Sequence, residues 1–203
     1  MSGFPVPEND SWDTLRRDCA QCFACDLCRT RTNLVFGVGN EQADIMFIGE
    51  GPGEQEDLQG FPFVGPAGQL LDDMMEIIDL NREKVYIANI VKCRPPRNRD
   101  PLREEAEACQ VWLERQIALV NPHLIVCLGR IAATYLIHDS FRITREHGRW
   151  FPYGERKILA TFHPSALLRD PSRRPEAFMD LREIRREYRA FLQGSDALSS
   201  ISV

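Results

Sequence analysis

The sequence predicts an α/β fold, a three-layer α/β/α sandwich around a central, mostly parallel four-stranded sheet. Three observations predict it. Four short apolar runs, rich in β-branched residues or Phe, each end in a Gly, Pro or polar cluster, as buried parallel strands do. Helix-period patterns lie between them, so that strand and helix alternate along the chain. A length of 203 residues suits one sizeable core rather than two.

In chain order, residues 1–10 hold two prolines and few apolar anchors, and are expected to form a loose tail ahead of a domain spanning 11–193. The first strand is expected at Asp44–Ile48 (DIMFI). A helix follows at Gly68–Ile78, where Leu70, Leu71, Met74, Met75 and Ile78 recur at 3–4 spacing. The second strand is Val85–Val91. The helix Arg103–Leu119 carries Ala106, Trp112, Leu113 and Ile117 on one face. A third strand, His123–Leu128, leads into a short helix, Arg130–Ile137. The fourth strand is Lys157–Phe162. A long charged amphipathic helix, Pro175–Leu192, comes last, and the Gly/Ser-rich residues 194–203 are expected to fray. In its basic residues Arg182, Arg185, Arg186 and Arg189, alternating with Glu183 and Glu187, solvated i,i+4 pairs are expected. In sheets of this kind chemistry gathers at the carboxyl ends of the strands.

The chain is 43% hydrophobic and 27% charged. No apolar run approaches the roughly 20 residues that span a bilayer, and the N-terminus lacks a signal-peptide pattern. A cytoplasmic protein with no membrane partner, and a monomer, is therefore expected. The net charge of −5 argues against a generally basic, sticky surface without excluding a local one.

Seven cysteines are the anomaly. The cytosol keeps thiols reduced, and an odd number cannot pair off completely, so metal or cluster ligation leads. Cys127, inside an apolar strand, reads as a core thiol. The other six contain two competing ligand sets. One is local: Cys19, Cys22, Cys25 and Cys28, spaced as in ferredoxin-type runs. The other closes one N-terminal C-x2-C pair with Cys93 and Cys109. Zinc is the rival metal, but a zinc ribbon brings two close C-x2-C knuckles together, and Cys93 and Cys109 are not a knuckle.

The first strand runs into Gly49-Glu50-Gly51-Pro52-Gly53-Glu54-Gln55-Glu56-Asp57. Its glycines allow close backbone approach to a ligand. It is neither a Walker loop nor a dinucleotide fingerprint, since it lacks Gly-Lys-Ser/Thr and carries Pro52 and acidic residues. Phe63 offers an aromatic face shortly after it. Asn89 places a buried amide in the second strand, where its donor and acceptor both need partners. His163 stands at the carboxyl end of the fourth strand. Taken together, a Gly-loop, an aromatic face, an amide and an imidazole suit recognition of one planar heterocycle.

These segments carry a resemblance. Cys22-Phe-Ala-Cys25 with the following Arg29-Thr-Arg-Thr, GEGPGEQED (49–57), PFVGPAGQLL (62–71), NIVKCRPPRNRDP (89–101), Cys109 and FHPSALLRDPSR (162–173) together resemble the type-4, iron–sulfur uracil-DNA glycosylases. The resemblance implies a [4Fe-4S] cluster held by Cys22, Cys25, Cys93 and Cys109, with Cys19 and Cys28 as bystanders. It implies a uracil pocket of Gly49, Glu50, Gly51, Phe63, Asn89 and His163, and uracil-containing DNA, single- or double-stranded, as the partner.

The activity so implied is hydrolysis of the N-glycosidic bond of deoxyuridine, leaving an abasic site. In that chemistry uracil leaves as an anion, and donors near its O2 stabilise the developing charge. His163 and the Gly51 N–H are the expected donors. Asn89 is expected to pair with O4 and N3–H, a pattern cytosine reverses, while Phe63 stacks on the base. Bulk that excludes thymine is expected from Glu54–Asp57. The best-known uracil glycosylases have a water-orienting Asp where this chain has Gly51, so Glu50 is the candidate for holding water. A related group captures the sugar covalently with a histidine in a Lys-Arg-Arg-Ile-His insertion. That insertion is missing here, and turnover is expected. The alternative is a non-catalytic or covalent-trapping uracil-DNA-binding iron–sulfur protein. Arg94, Arg97 and Arg99, with Arg169, Arg173 and Arg174, form two basic clusters beside these motifs and are expected to meet phosphates. Leu168, next to Arg169, is the expected wedge into the base stack.

Overall fold

The computed structural model describes residues 10–199. Among them, eight α-helices and six strands run in the order α1 (Trp12–Ala20), β1 (Val38–Gly39), β2 (Ile45–Gly49), α2 (Glu54–Gln59), α3 (Pro66–Glu76), β3 (Tyr86–Asn89), α4 (Arg103–Val120), β4 (Leu124–Leu128), α5 (Arg130–Leu136), α6 (Ile143–Glu146), β5 (Trp150–Tyr153), β6 (Arg156–Thr161), α7 (Pro164–Arg169) and α8 (Arg174–Ser199). No helix among the described residues is long and apolar enough to cross a membrane. The expected tail at 1–10 lies outside the described residues except for Asp10, as do residues 200–203 of the other tail. Residues 194–199 continue α8.

The sheet order is β1-β3-β2-β4-β6-β5. The four strands read from the apolar runs are its parallel centre. The sheet has six strands rather than four, because β1 and β5 are added antiparallel at its edges. Neither edge strand makes an apolar run. β1 is two residues long and includes Gly39. β5 contains Pro152, which an edge strand accommodates because its missing N–H is not needed by a second neighbour.

The side chains of the parallel strands alternate between two cores. Met46 and Ile48 of β2, with Ile125 and Cys127 of β4, pack under Ala106, Leu113 and Ile117 of α4 and Ala132 and Ala133 of α5. Ile45 and Phe47, with Leu124 and Val126, face Leu71, Met74 and Met75 of α3 and Leu181 and Ile184 of α8. Helices thus cover both faces, giving the three layers. α8 is held by more than local pairs: Arg185 and Arg189 reach Asp79 beyond the end of α3, at 2.5 and 3.2 Å, and among the described residues only Arg186 forms an ion pair within the helix, with Glu183 at 2.5 Å.

Candidate active site

β2 and β3 run parallel with Gly49 opposite Asn89, so both strands deliver their last residues to one place. β2 also pairs with β4 on its other side, and the chain leaves these neighbours on opposite faces, which opens a crevice at their carboxyl ends. A cleft of about 480 Å3 lies there, lined by Glu50, Gly51, Phe63, Asn89, His163 and Arg169 among others. These residues come from positions 50 to 169 of the chain. Gly49 stands behind the wall. A Cβ on it would sit 2.4 Å from Asn89 Oδ1 and 2.6 Å from Phe63 Cζ, so hydrogen alone lets the amide and the ring close over the strand end.

Asn89 is 2% exposed, and its Oδ1 is buried with no hydrogen-bond partner among the described residues. A buried carbonyl oxygen left without a donor is costly unless a ligand supplies one. Phe63 is buried and takes a left-handed backbone conformation, φ 56°, which for an aromatic residue persists only when its surroundings impose it. Two neighbours do so. Arg82 donates to the carbonyls of Pro62 (3.1 Å) and Phe63 while pairing with Asp72 at 2.7 Å. The Glu56 carboxylate accepts the N–H groups of Val64 (2.9 Å) and Gly65 (3.0 Å) with one oxygen and that of Gly53 (3.1 Å) with the other. Glu56 therefore bolts the Gly-loop to the Phe63 loop.

Within Glu54–Asp57, Glu56 is the one residue on the cleft wall. Glu54 faces Arg94 at 3.5 Å. Asp57 is buried and accepts the N–H groups of Thr32 (2.9 Å) and Asn33 (3.3 Å).

His163 caps α7. Its Nδ1 accepts the backbone N–H of Ser165 at 3.1 Å and meets Ser165 Oγ at 2.8 Å. An amide N–H can only donate, so Nδ1 carries no proton and the neutral ring holds its proton on Nε2. Burial, and then the Arg169 guanidinium, push the imidazolium pKa down to about 4, so the ring is neutral at physiological pH. It lies 5.7 Å from the Phe63 ring, tilted by 31°. Gly129, at φ +93°, passes behind it, and a Cβ there would approach His163 Cβ to 2.8 Å.

Glu50 is held the other way. Burial, followed by the nearby Asp100 carboxylate, raises its pKa to about 7, against the opposing pull of Arg130 and Arg169.

Among the arginines expected to meet DNA, only Arg169 and Arg99 line the cleft. Arg169 forms no ion pair among the described residues, whereas Arg99 is locked onto buried Glu105 by bonds of 2.7 and 2.6 Å. Arg173 pairs with Glu176 at 3.0 Å. Arg94 bonds Asn98 at 2.8 Å. Arg97 stands exposed in a left-handed turn, φ 56°. Leu168 is exposed beside Arg169. Asp100, Arg130 and Ser165 also shape the site and were not foreseen, and Glu56, expected only as part of the Glu54–Asp57 bulk, acts as a brace. Ser165 alone had a local signal, its place two residues after His163.

A second cavity is lined by Cys22, Cys25, Cys28, Cys93 and Cys109. None of the seven cysteines is joined in a disulfide. Trp112 Nε1 donates to Cys22 Sγ (3.2 Å), Arg31 Nη1 to Cys93 Sγ (3.2 Å), and the Lys92 N–H to Cys109 Sγ (3.3 Å). Cys28 shares the wall, while Cys19 is wholly buried on α1 and Cys127 wholly buried on β4. No group of three or more His, Cys, Asp or Glu side chains placed to hold a metal ion occurs among the described residues. The buried Lys92 side chain joins this cavity to the cleft. Its Nζ donates to the Asn89 carbonyl (2.9 Å) and to Gln116 Oε1 (2.6 Å).

The family model of the uracil DNA glycosylase superfamily matches residues 36–185. Curated relatives match as large a share of the chain or more. A type-4 uracil-DNA glycosylase of Archaeoglobus fulgidus is 46% identical over 183 residues, covering 86% of this chain and 92% of its own. One from Sulfurisphaera tokodaii is 43% identical over 185 residues, covering 87% and 84%. Another, from Thermotoga maritima, is 47% identical over 154 residues, covering 75% and 80%.

Proposed function

Because this chain belongs to the type-4 uracil-DNA glycosylases, hydrolases acting on N-glycosyl bonds, we propose that its cleft receives a uracil extruded from DNA and that the residues lining it release the base. The observation that carries this reading is the buried, unpartnered Oδ1 of Asn89. Uracil N3–H supplies the donor this oxygen lacks, and the Asn89 amide N–H meets O4. Cytosine offers an acceptor at N3 and a donor at the exocyclic group, leaving like groups face to face in a dry site. Phe63 stacks on the base.

As the glycosidic bond lengthens, negative charge gathers on the pyrimidine. Neutral His163, with its proton on Nε2, and the Gly51 N–H supply donors to O2, and such donors are most effective in a water-poor site. Glu50, ionised above about pH 7, holds the water that attacks the sugar. The product is free uracil and an abasic site. Arg169 contacts the backbone beside the extruded nucleotide, and Leu168 fills the space left in the stack.

We further propose that Cys22, Cys25, Cys93 and Cys109 hold a [4Fe-4S] cluster. They line one cavity from two distant segments, and three of their sulfurs each receive an N–H donor, an environment that suits thiolate ligands. Held by these four residues, the cluster would tie the N-terminal segment to the Cys93–Cys109 segment; hydrolysis itself calls for no electron transfer.

The test is incubation with single- and double-stranded oligonucleotides bearing one uracil, with released base and abasic sites both quantified. Release of uracil with multiple turnovers is expected, from protein carrying iron and acid-labile sulfide. Retention of the oligonucleotide without release would overturn the catalytic reading. A colourless, zinc-containing protein would overturn the cluster.

A further inference from the structure

The wall of the cleft that holds Phe63, Asn89 and His163 also includes Asp100 and Arg130. There Asp100, from the loop between β3 and α4, faces Arg130, the first residue of α5, in an ion pair of 2.6 Å. Both side chains are more than half exposed, at 53% for Arg130 and 59% for Asp100. Arg130 uses one of its five N–H donors in this bond. Its neighbour across the pair behaves differently, since Arg99 spends both terminal nitrogens on buried Glu105 and braces the loop.

We propose that Arg130 is a phosphate-binding residue, held by Asp100 in the free protein and passed to a backbone phosphate beside the extruded nucleotide when DNA binds. The proposal rests on the reading of the cleft as a uracil-DNA site. The exchange is favourable on general grounds. An exposed ion pair contributes little to stability. A guanidinium on a phosphodiester gains charge-assisted, two-pronged bonding and releases a condensed counterion. Asp100 gives the arrangement its selectivity. Without DNA it neutralises Arg130 at the mouth of the cleft, and a passing lone anion must compete with a carboxylate already in place. Arg130 and Arg169 both line the cleft with Glu50 and can grip the strand at two points.

The experiment measures equilibrium binding of the full chain to a duplex containing 2′-deoxy-2′-fluorouridine, a nucleotide whose glycosidic bond resists cleavage, by fluorescence anisotropy between about 50 and 200 mM salt. Arg130→Ala is expected to weaken binding several-fold at the lower salt and to reduce the slope of log K against log salt by about 0.9, one phosphate contact. Asp100→Asn is expected to bind about threefold more tightly with the wild-type slope, because the guanidinium no longer has to leave a partner. Arg17→Ala, which removes an exposed side chain of α1, controls for the loss of one charge and should leave the slope unchanged. An unchanged slope in Arg130→Ala overturns the proposal, as does weaker binding by Asp100→Asn, which would make the pair a structural brace. Uracil release by the wild type is assayed in parallel. If it persists while the slope of Arg130→Ala is unaltered, only the phosphate site falls; if the wild type neither binds nor releases, the reading of the cleft falls as well.

Discussion

Replacing Glu50 with Gln tests the electrostatics of the cleft from two sides at once. Burial and Asp100 raise the carboxyl from an ordinary 4.5 to about 7, so the folded protein favours its protonated form more than the unfolded chain does. A carboxyl raised in this way contributes fully below its unfolded value, and that contribution is lost as pH climbs through the folded value. Wild-type stability should therefore decline between about pH 4.5 and 7 relative to a variant that cannot ionise there. At about 1.36 kcal/mol per pH unit the displacement bounds the effect at roughly 3.4 kcal/mol. Solvent reaches part of the side chain, and about 2 kcal/mol is the expected size. Urea denaturation of both proteins should give matching stabilities near pH 4 and a Glu50→Gln advantage of about 2 kcal/mol at pH 8.

Activity should move in the opposite direction. Single-turnover uracil release by the wild type should rise about tenfold per pH unit below pH 7 and then level, while Glu50→Gln is lower by about 10²-fold and loses that limb. Equal stabilities at both pH values would refute the burial argument. A Glu50→Gln profile that keeps the limb would refute the role of Glu50 in holding water.

Other consequences are equally direct. Asp100→Asn should move the midpoint of the wild-type pH–rate profile below 7 and Arg130→Ala should move it above, since one removes a carboxylate and the other a guanidinium from the surroundings of Glu50; shifts of the reverse sign would contradict the geometry. Asn89→Ala and His163→Ala should each lower single-turnover release by at least about 10²-fold, the scale of a lost oxyanion donor, with unchanged circular dichroism, and near-normal rates in both would dissolve the pocket. Gly49→Ala forces a methyl between Asn89 Oδ1 and Phe63 Cζ and should cost about 1–3 kcal/mol in thermal or urea denaturation together with most of the activity. Lys92→Met removes both bonds of the buried ammonium and should reduce stability by about 1–3 kcal/mol; a variant as stable and active as the wild type would show that the bond to the Asn89 carbonyl is dispensable.

What could be read ahead of the structure was whatever the chain encodes locally. The four apolar runs place the parallel strands within a residue or two at their ends, and strand polarity puts His163 at a carboxyl end, whereas Asn89, expected inside Val85–Val91, ends its strand only because β3 stops two residues early. Edge strands were illegible because Val38–Gly39 and the Pro152 strand bury little and are defined by partners far along the chain. The same is true of the site's supports. Glu56 bonds the amides of Val64 and Gly65, Arg82 bonds the carbonyls of Pro62 and Phe63, and Arg130 reaches Asp100 thirty positions away; none of these pairs has a spacing that marks it. Basic clusters were visible as charge, but Arg94 and Arg173 already hold partners in the fold, which no count of arginines discloses.

The hydrogen bond from the Ser165 N–H to His163 Nδ1 has a further consequence, for mutation and divergence. The imidazole proton is placed by a main-chain donor as well as by the Ser165 hydroxyl, and the main-chain donor is present whatever side chain position 165 carries. Nineteen of the twenty amino acids keep that donor, and proline alone removes it. Loss of the Ser165 hydroxyl therefore removes one contact to Nδ1 and leaves the other, so a substitution such as Ser165→Ala should keep the proton on Nε2.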